Sequence, residues 1–133
     1  MTDCPIVFYI TTVLTHKMNY LKFTKFLKED YEKSNLKYPS IKFFRSDLIL
    51  IFIWFWILEK YYSKKDFSIE QLISEIPKGY GSRPTIFKFI DLSIKNKFLI
   101  KTKSQHDKRK YNLKPSAITI KEFEDWAKGF SGF

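Results

Sequence analysis

Eleven consecutive apolar residues, Leu48 to Leu58, stand between Asp47 and Glu59. A membrane-crossing helix needs about twenty such residues, so this run is too short to span a bilayer. In a soluble fold, a helix that is apolar all round must be covered on more than one side. Ser46 or Asp47 can cap it, and the pattern predicts a helix to about Tyr62. A buried strand is the competing assignment, because periodicity does not separate the two. Either way the run sits at the centre of the fold. One face has room for the elements that follow; the other needs the amphipathic segment that precedes it or a second subunit.

That preceding segment, from about His16 to Ser34, places Tyr20, Phe23, Leu27 and Tyr31 at helical spacing, with Phe26 beside them. Asn35 to Ser40, with Pro39, reads as a linker. Residues 5–15 are apolar and β-branched, ambiguous between strand and helix. Downstream, Ser68-Ile69-Glu70-Gln71 forms a capping box that opens a short helix bearing Ile69, Leu72, Ile73 and Ile76, ended by Pro77. Thr119-Ile120-Lys121-Glu122 reads as a second box, opening a last helix with Phe123, Trp126, Ala127 and Phe130 on one stripe and Gly129 at its end. With only four glycines in 133 residues, a turn-rich all-β fold is disfavoured. The expected fold is mainly α with a small β-hairpin, divided into an N-terminal packing segment (1–40) and a main domain (41–133).

The charge is concentrated in one place. Between Lys78 and Lys114 lie eleven Lys or Arg residues against Asp91 and Asp107, a net +9 of the chain's +10. Basic clusters neutralise phosphates and release counterions, so nucleic acid is the first partner to consider. Lys78-Gly79-Tyr80-Gly81 reads as a turn in which both glycines permit positive φ. Ser82 then caps a helix with Pro84 in its first turn. Its inward stripe is Ile86, Phe89, Ile90 and Ser93 or Ile94; its outer stripe is Arg83, Pro84, Phe87, Lys88, Asp91 and Lys95. A basic hairpin follows, with strands Phe98–Lys103 and Arg109–Leu113 around the tip Ser104-Gln105-His106-Asp107-Lys108. Leu99 and Tyr111 are expected to face the core, with Lys101, Lys103 and Lys110 facing out.

Thr85-Ile86, Phe89-Ile90-Asp91, Phe98-Leu99-Ile100, Ser104 and Asp107-Lys108-Arg109 resemble the signature of the MarR family of transcriptional regulators, across roughly residues 46–114. The chain departs from that signature at Lys97, where the family usually has Gly, and at Leu113-Lys114-Pro115-Ser116, where it has Leu-Thr-x-x-Gly. The resemblance implies a winged helix-turn-helix with an additional N-terminal helix, a homodimer, and an Asp107 that steadies the wing tip by pairing with a nearby Arg. It also implies that Lys108 or Arg109 enters a minor groove. Such relatives often bind small aromatic effectors, for which the 47–62 helix would be the lining, and some sense hydroperoxides through an N-terminal cysteine, a role that would fall here to Cys4. The family usually adds a long dimerising helix where this chain reads Phe133.

The function expected is sequence-specific binding of double-stranded DNA. Arg83 and Lys88 suit guanine edges, Thr85 and Phe87 a thymine methyl, and Lys78, Tyr80 and Ser82 the phosphate backbone. Lys103, Ser104, Gln105, His106, Lys108, Arg109 and Lys110 form the hairpin's share of the surface. Phe87 is equally well read as a core aromatic; the competing readings are a solvated turn for the basic tip and, for the whole, an assembly subunit with incidental basicity. One cysteine and two separated histidines offer no metal cage, and no catalytic set or nucleotide fingerprint is visible. The chain is therefore expected to be a non-enzyme without cofactors. With Asp3 and no basic leader region it reads as soluble and cytoplasmic.

Overall fold

The apolar run is indeed helical. The computed structural model describes residues 19–130; Cys4, residues 5–15 and His16 lie outside them. Six helices and one two-stranded antiparallel hairpin are described: α1 (Tyr20–Lys37), α2 (Pro39–Phe44), α3 (Leu48–Tyr62), α4 (Ile69–Glu75), α5 (Arg83–Lys95), β1 (Leu99–Lys103), β2 (Tyr111–Pro115) and α6 (Ala117–Lys128).

Asp47 opens α3 by accepting the Ile49 backbone N–H at 2.8 Å. Seven residues of α3 are buried, from Ile49 to Leu58, and they point in several directions around the helix. Coverage is not complete, however. Leu48 and Phe55 are exposed, with Ile51 and Phe52 half-buried between them, so a strip along α3 faces solvent. Around the rest pack Ile41 and Phe44 of α2, Leu72 of α4, Ile86 and Ile90 of α5, and Leu99 and Leu113 of the hairpin. Trp54 is the hub of the aromatic cluster, stacked on Phe44 at 6.2 Å and meeting Phe123 and Trp126 at 5.9 and 5.6 Å. Burying a side chain of this kind stabilises by about 1.5–3 kcal/mol.

The N-terminal segment differs from expectation in three ways. Asn19 caps α1 through a 3.0 Å bond from the Lys22 N–H, so the helix begins at Tyr20. It runs to Lys37, and the expected linker is instead α2, with Pro39 at its first position, where no N–H is needed. The apolar stripe of α1 is largely exposed at Tyr20, Leu27 and Tyr31. Besides an edge-on contact of Phe26 with Phe130 at 5.0 Å, a polar network anchors α1. Asp30 accepts from Ser34 Oγ (2.7 Å), Arg45 Nη2 (3.1 Å) and Trp126 Nε1 (2.9 Å), reaching the α2–α3 loop and α6.

The last helix starts two residues before the expected box. Ser116 is its N-cap, and Thr119 lies within it, donating to the Phe98 carbonyl at 2.8 Å. Glu122 is buried and accepts from both the N–H and the hydroxyl of Ser40, at 2.9 and 2.6 Å, which fastens α6 to α2.

Candidate nucleic-acid interface

The basic residues are carried by α5, the turn before it and the hairpin after it. The Ser68 capping box forms as expected, with Ser68 N–H donating to Gln71 Oε1 at 2.8 Å and Gln71 N–H to Ser68 Oγ at 3.2 Å. α4 ends at the buried cap Ile76, ahead of Pro77. In the turn, only Gly79 adopts positive φ (+98°). Gly81 serves a different purpose: a Cβ there would lie 2.7 Å from Ile49 Cδ1, so its lack of a side chain lets the turn close over α3. Lys78 is exposed, and Tyr80 packs edge-on against Phe52 at 6.3 Å while keeping part of its ring in solvent.

Ser82 caps α5, its hydroxyl 2.9 Å from Thr85 Oγ1. Ile86, Ile90 and Ser93 are buried; Thr85 and Lys88 are exposed; Phe87 is half-buried. Phe87 is neither fully core nor free, because the Arg83 guanidinium lies over its ring at 5.1 Å. Arg83 Nη2 in turn donates to both carboxylate oxygens of Glu70, at 2.8 and 2.9 Å. Pro84, Phe87, Lys88, Asp91, Leu92 and Lys95 line a shallow hollow of about 540 Å³ on the outer face of α5.

α5 closes with a Schellman motif, in which Phe98 N–H donates to Ser93 O and Lys97 N–H to Ile94 O, both at 3.0 Å. Lys97 therefore takes φ +65°, a conformation that ordinarily calls for glycine. The cap turns the chain directly into β1. In the hairpin, Leu99 pairs with Pro115, Lys101 with Leu113 and Lys103 with Tyr111. Leu99, Leu113 and Pro115 are buried. Tyr111 is not: it is 39% exposed and lies beneath Lys101 Nζ, 4.2 Å from the ring centroid. Tyr111 instead lines a cleft shared with Ile69 and Glu70 of α4 and Phe87 of α5, so its ring packs under a lysine chain and not into the core.

Arg109 and Lys110, expected in the return strand, belong to the tip turn instead. Ser104 N–H donates to Lys110 O and Lys110 N–H to Asp107 O, both at 3.0 Å. Ser104 Oγ accepts the N–H groups of His106 and Asp107, each at 3.3 Å. Asp107 Oδ1 accepts the backbone N–H of Arg109 at 3.0 Å. The acid thus steadies the tip through the backbone, not through a guanidinium, which leaves the Arg109 side chain exposed with Lys108, Lys110, Gln105 and His106.

Two clefts divide these groups. Phe87, Arg109 and Lys110 share one of about 150 Å³ between the helices and the hairpin, together with Glu70, Lys101 and Tyr111. Lys103, Gln105 and His106 line another of about 370 Å³ with Asp66 and Lys114. Glu70, Lys101 and Tyr111 were not singled out as site residues from sequence. Glu70 gave no signal beyond being an acid in the first turn of a helix, and Tyr111 was assigned to the core. Among the described residues, Arg83 is the only one of the eleven clustered cations with an ion pair within 4.0 Å.

Leu27, Tyr31, Ile51, Trp54, Phe55 and Trp126, with the Asp30–Arg45 pair, border a largely apolar groove of about 460 Å³. Among the described residues no helix is long and apolar enough to cross a membrane, and no group of three or more His, Cys, Asp or Glu is placed to hold a metal. Comparisons with protein-family models, curated proteins and solved structures find no match to this chain.

Proposed function

We propose that the chain is a sequence-specific double-stranded DNA-binding regulator of transcription that acts by occupancy, without catalysis. One observation carries the reading. The clustered cations lie on a helix, the turns flanking it and the hairpin that follows, and all but Arg83 are free of ion pairs among the described residues. α5, at 13 residues, is about 20 Å long, and a helix with its side chains is about 10–12 Å across, which fits a major groove about 12 Å wide. In this reading α4 and α5 are the helix-turn-helix and the hairpin is the wing. Lys88 reads base edges, Thr85 offers a methyl to thymine, and Arg83, Lys78 and Tyr80 meet the backbone. Lys108 or Arg109 reaches the adjacent minor groove, where a narrow A·T tract attracts cations.

The apolar groove beside Phe55 and Tyr31 supports self-association, which would set two α5 helices about one DNA turn apart and favour an inverted repeat. The same groove favours a second reading, a winged-helix assembly subunit whose basic face only steers it to phosphates. Selection from random duplex DNA separates the two, run on wild type and on the Arg83→Ala, Lys88→Ala double variant. A palindromic site enriched by wild type and lost by the variant is expected. A pool that stays random, with equal salt-sensitive affinity for both proteins, overturns specific readout and leaves the assembly reading.

A further inference from the structure

Glu70 is the acidic residue lining a cleft whose other charged members, Lys101, Arg109 and Lys110, are all basic. Both its oxygens sit on one nitrogen of Arg83, at 2.8 and 2.9 Å. The pair is not a local helical one, for it joins the first turn of α4 to the first turn of α5, thirteen residues apart. Each partner is 57% exposed. A pair that open to water is weak and exchangeable. A phosphate offers the same kind of acceptor oxygen, and Arg is suited to take it. The guanidinium also lies over the Phe87 ring, 5.1 Å from its centroid, a contact that does not involve the carboxylate.

Resting on the DNA-binding reading above, we propose that Glu70 is an internal stand-in for backbone phosphate. It occupies Arg83 in the free protein and surrenders it to the duplex. The cost of that exchange lowers affinity for every duplex, so Glu70 tempers binding that eleven clustered cations would otherwise make indiscriminate.

The test compares wild type, Glu70→Gln, Arg83→Gln and the double variant on one fixed duplex, by fluorescence anisotropy at low and at high salt. Glu70→Gln is expected to bind roughly two- to fivefold tighter at low salt, the range of an exposed ion pair. The gain should shrink as salt screens the pair, and it should disappear in the Arg83→Gln background. Thermal midpoints should barely move, because the pair is solvated. Equal tightening with and without Arg83 would reduce Glu70 to a general charge effect and overturn the proposal. Weaker binding by Glu70→Gln would overturn it too, making the acid a positioning residue for Arg83. If wild type has no affinity for duplex DNA at any salt, the DNA-binding reading itself falls, and this proposal with it.

Discussion

Replacing Asp30 with Ala should be among the most damaging single changes in the chain. Its carboxylate is 12% exposed and its partner Arg45 15%, so solvent does little to screen them. Arg45 is also stacked over the Trp126 ring at 5.0 Å, and its Nη1 is buried with no acceptor. Removing Asp30 leaves a half-buried guanidinium without a counter-charge, a defect that costs up to about 3–5 kcal/mol. Total stabilities run to about 5–15 kcal/mol, so a large fraction is at stake. With a urea slope of about 2 kcal/mol per molar, the unfolding midpoint should fall by up to roughly 1.5–2.5 M. Burial pushes the Asp30 carboxyl up, but hydrogen bonds from Ser34, Trp126 and Arg45, with the Arg45 charge, outweigh it and hold it below its ordinary value. A carboxylate depressed in the native state contributes stability that is complete above its unfolded pKa, about 3.9, and is lost as pH falls through the lower native value. The gap between wild type and Asp30→Ala should therefore be constant from neutral pH to about 5 and close only below about 4. Asp30→Leu combined with Arg45→Met should recover part of the loss, since it removes the orphaned charge. A gap under about 1 kcal/mol, or one that does not narrow in acid, would refute the claim that this network is desolvated and anchors α1.

Two further outcomes follow from local geometry. Lys97→Gly should raise stability by about 1 kcal/mol, because Lys97 is held at φ +65°, and the thermal midpoint should rise by roughly 3–5 °C. Lys97→Ala keeps the strain, so an equal rise there would show that backbone conformation is not the cause. Glu122→Ala should cost about 1–3 kcal/mol, measured by denaturant titration, because two buried donors of Ser40 lose their acceptor. Glu122→Gln retains an acceptor oxygen and should cost markedly less.

The features legible in the sequence were those whose physics is local. Asp47, Ser68 with Gln71, and Ser82 each bond a backbone group no more than three residues away, so they could be placed without knowing the fold. The stripe Ile86, Ile90 and Ser93 followed from periodicity alone. The errors came where a partner far along the chain decides. Glu122 looks like half of a capping box, yet it is taken by Ser40, 82 residues away. Asp30 looks like one more acid on a solvated face, yet its partners come from two other elements. Pro39 marks a boundary in sequence, but whether it ends a linker or starts a helix depends on whether Ile41 and Phe44 find a core, which they do. For the candidate site, the position and sign of the charge were plain, whereas the Arg83–Glu70 pair and the packing of Lys101 on Tyr111 depend on how α4, α5 and the hairpin meet.

The hairpin is held from both sides, along one strand as well as at its base. Ser68, the cap of α4, forms a bridge with Asn112, and Leu113 N–H donates to Phe67 O at 3.2 Å. On the other side, Ser116 N–H donates to Phe98 O at 3.1 Å and Thr119 bonds the same carbonyl. The hairpin, α4 and α6 are thus joined into one hydrogen-bonded unit, and the bridge at Asn112 lies one step from the tip-side pair Lys103–Tyr111 and two residues from Glu70.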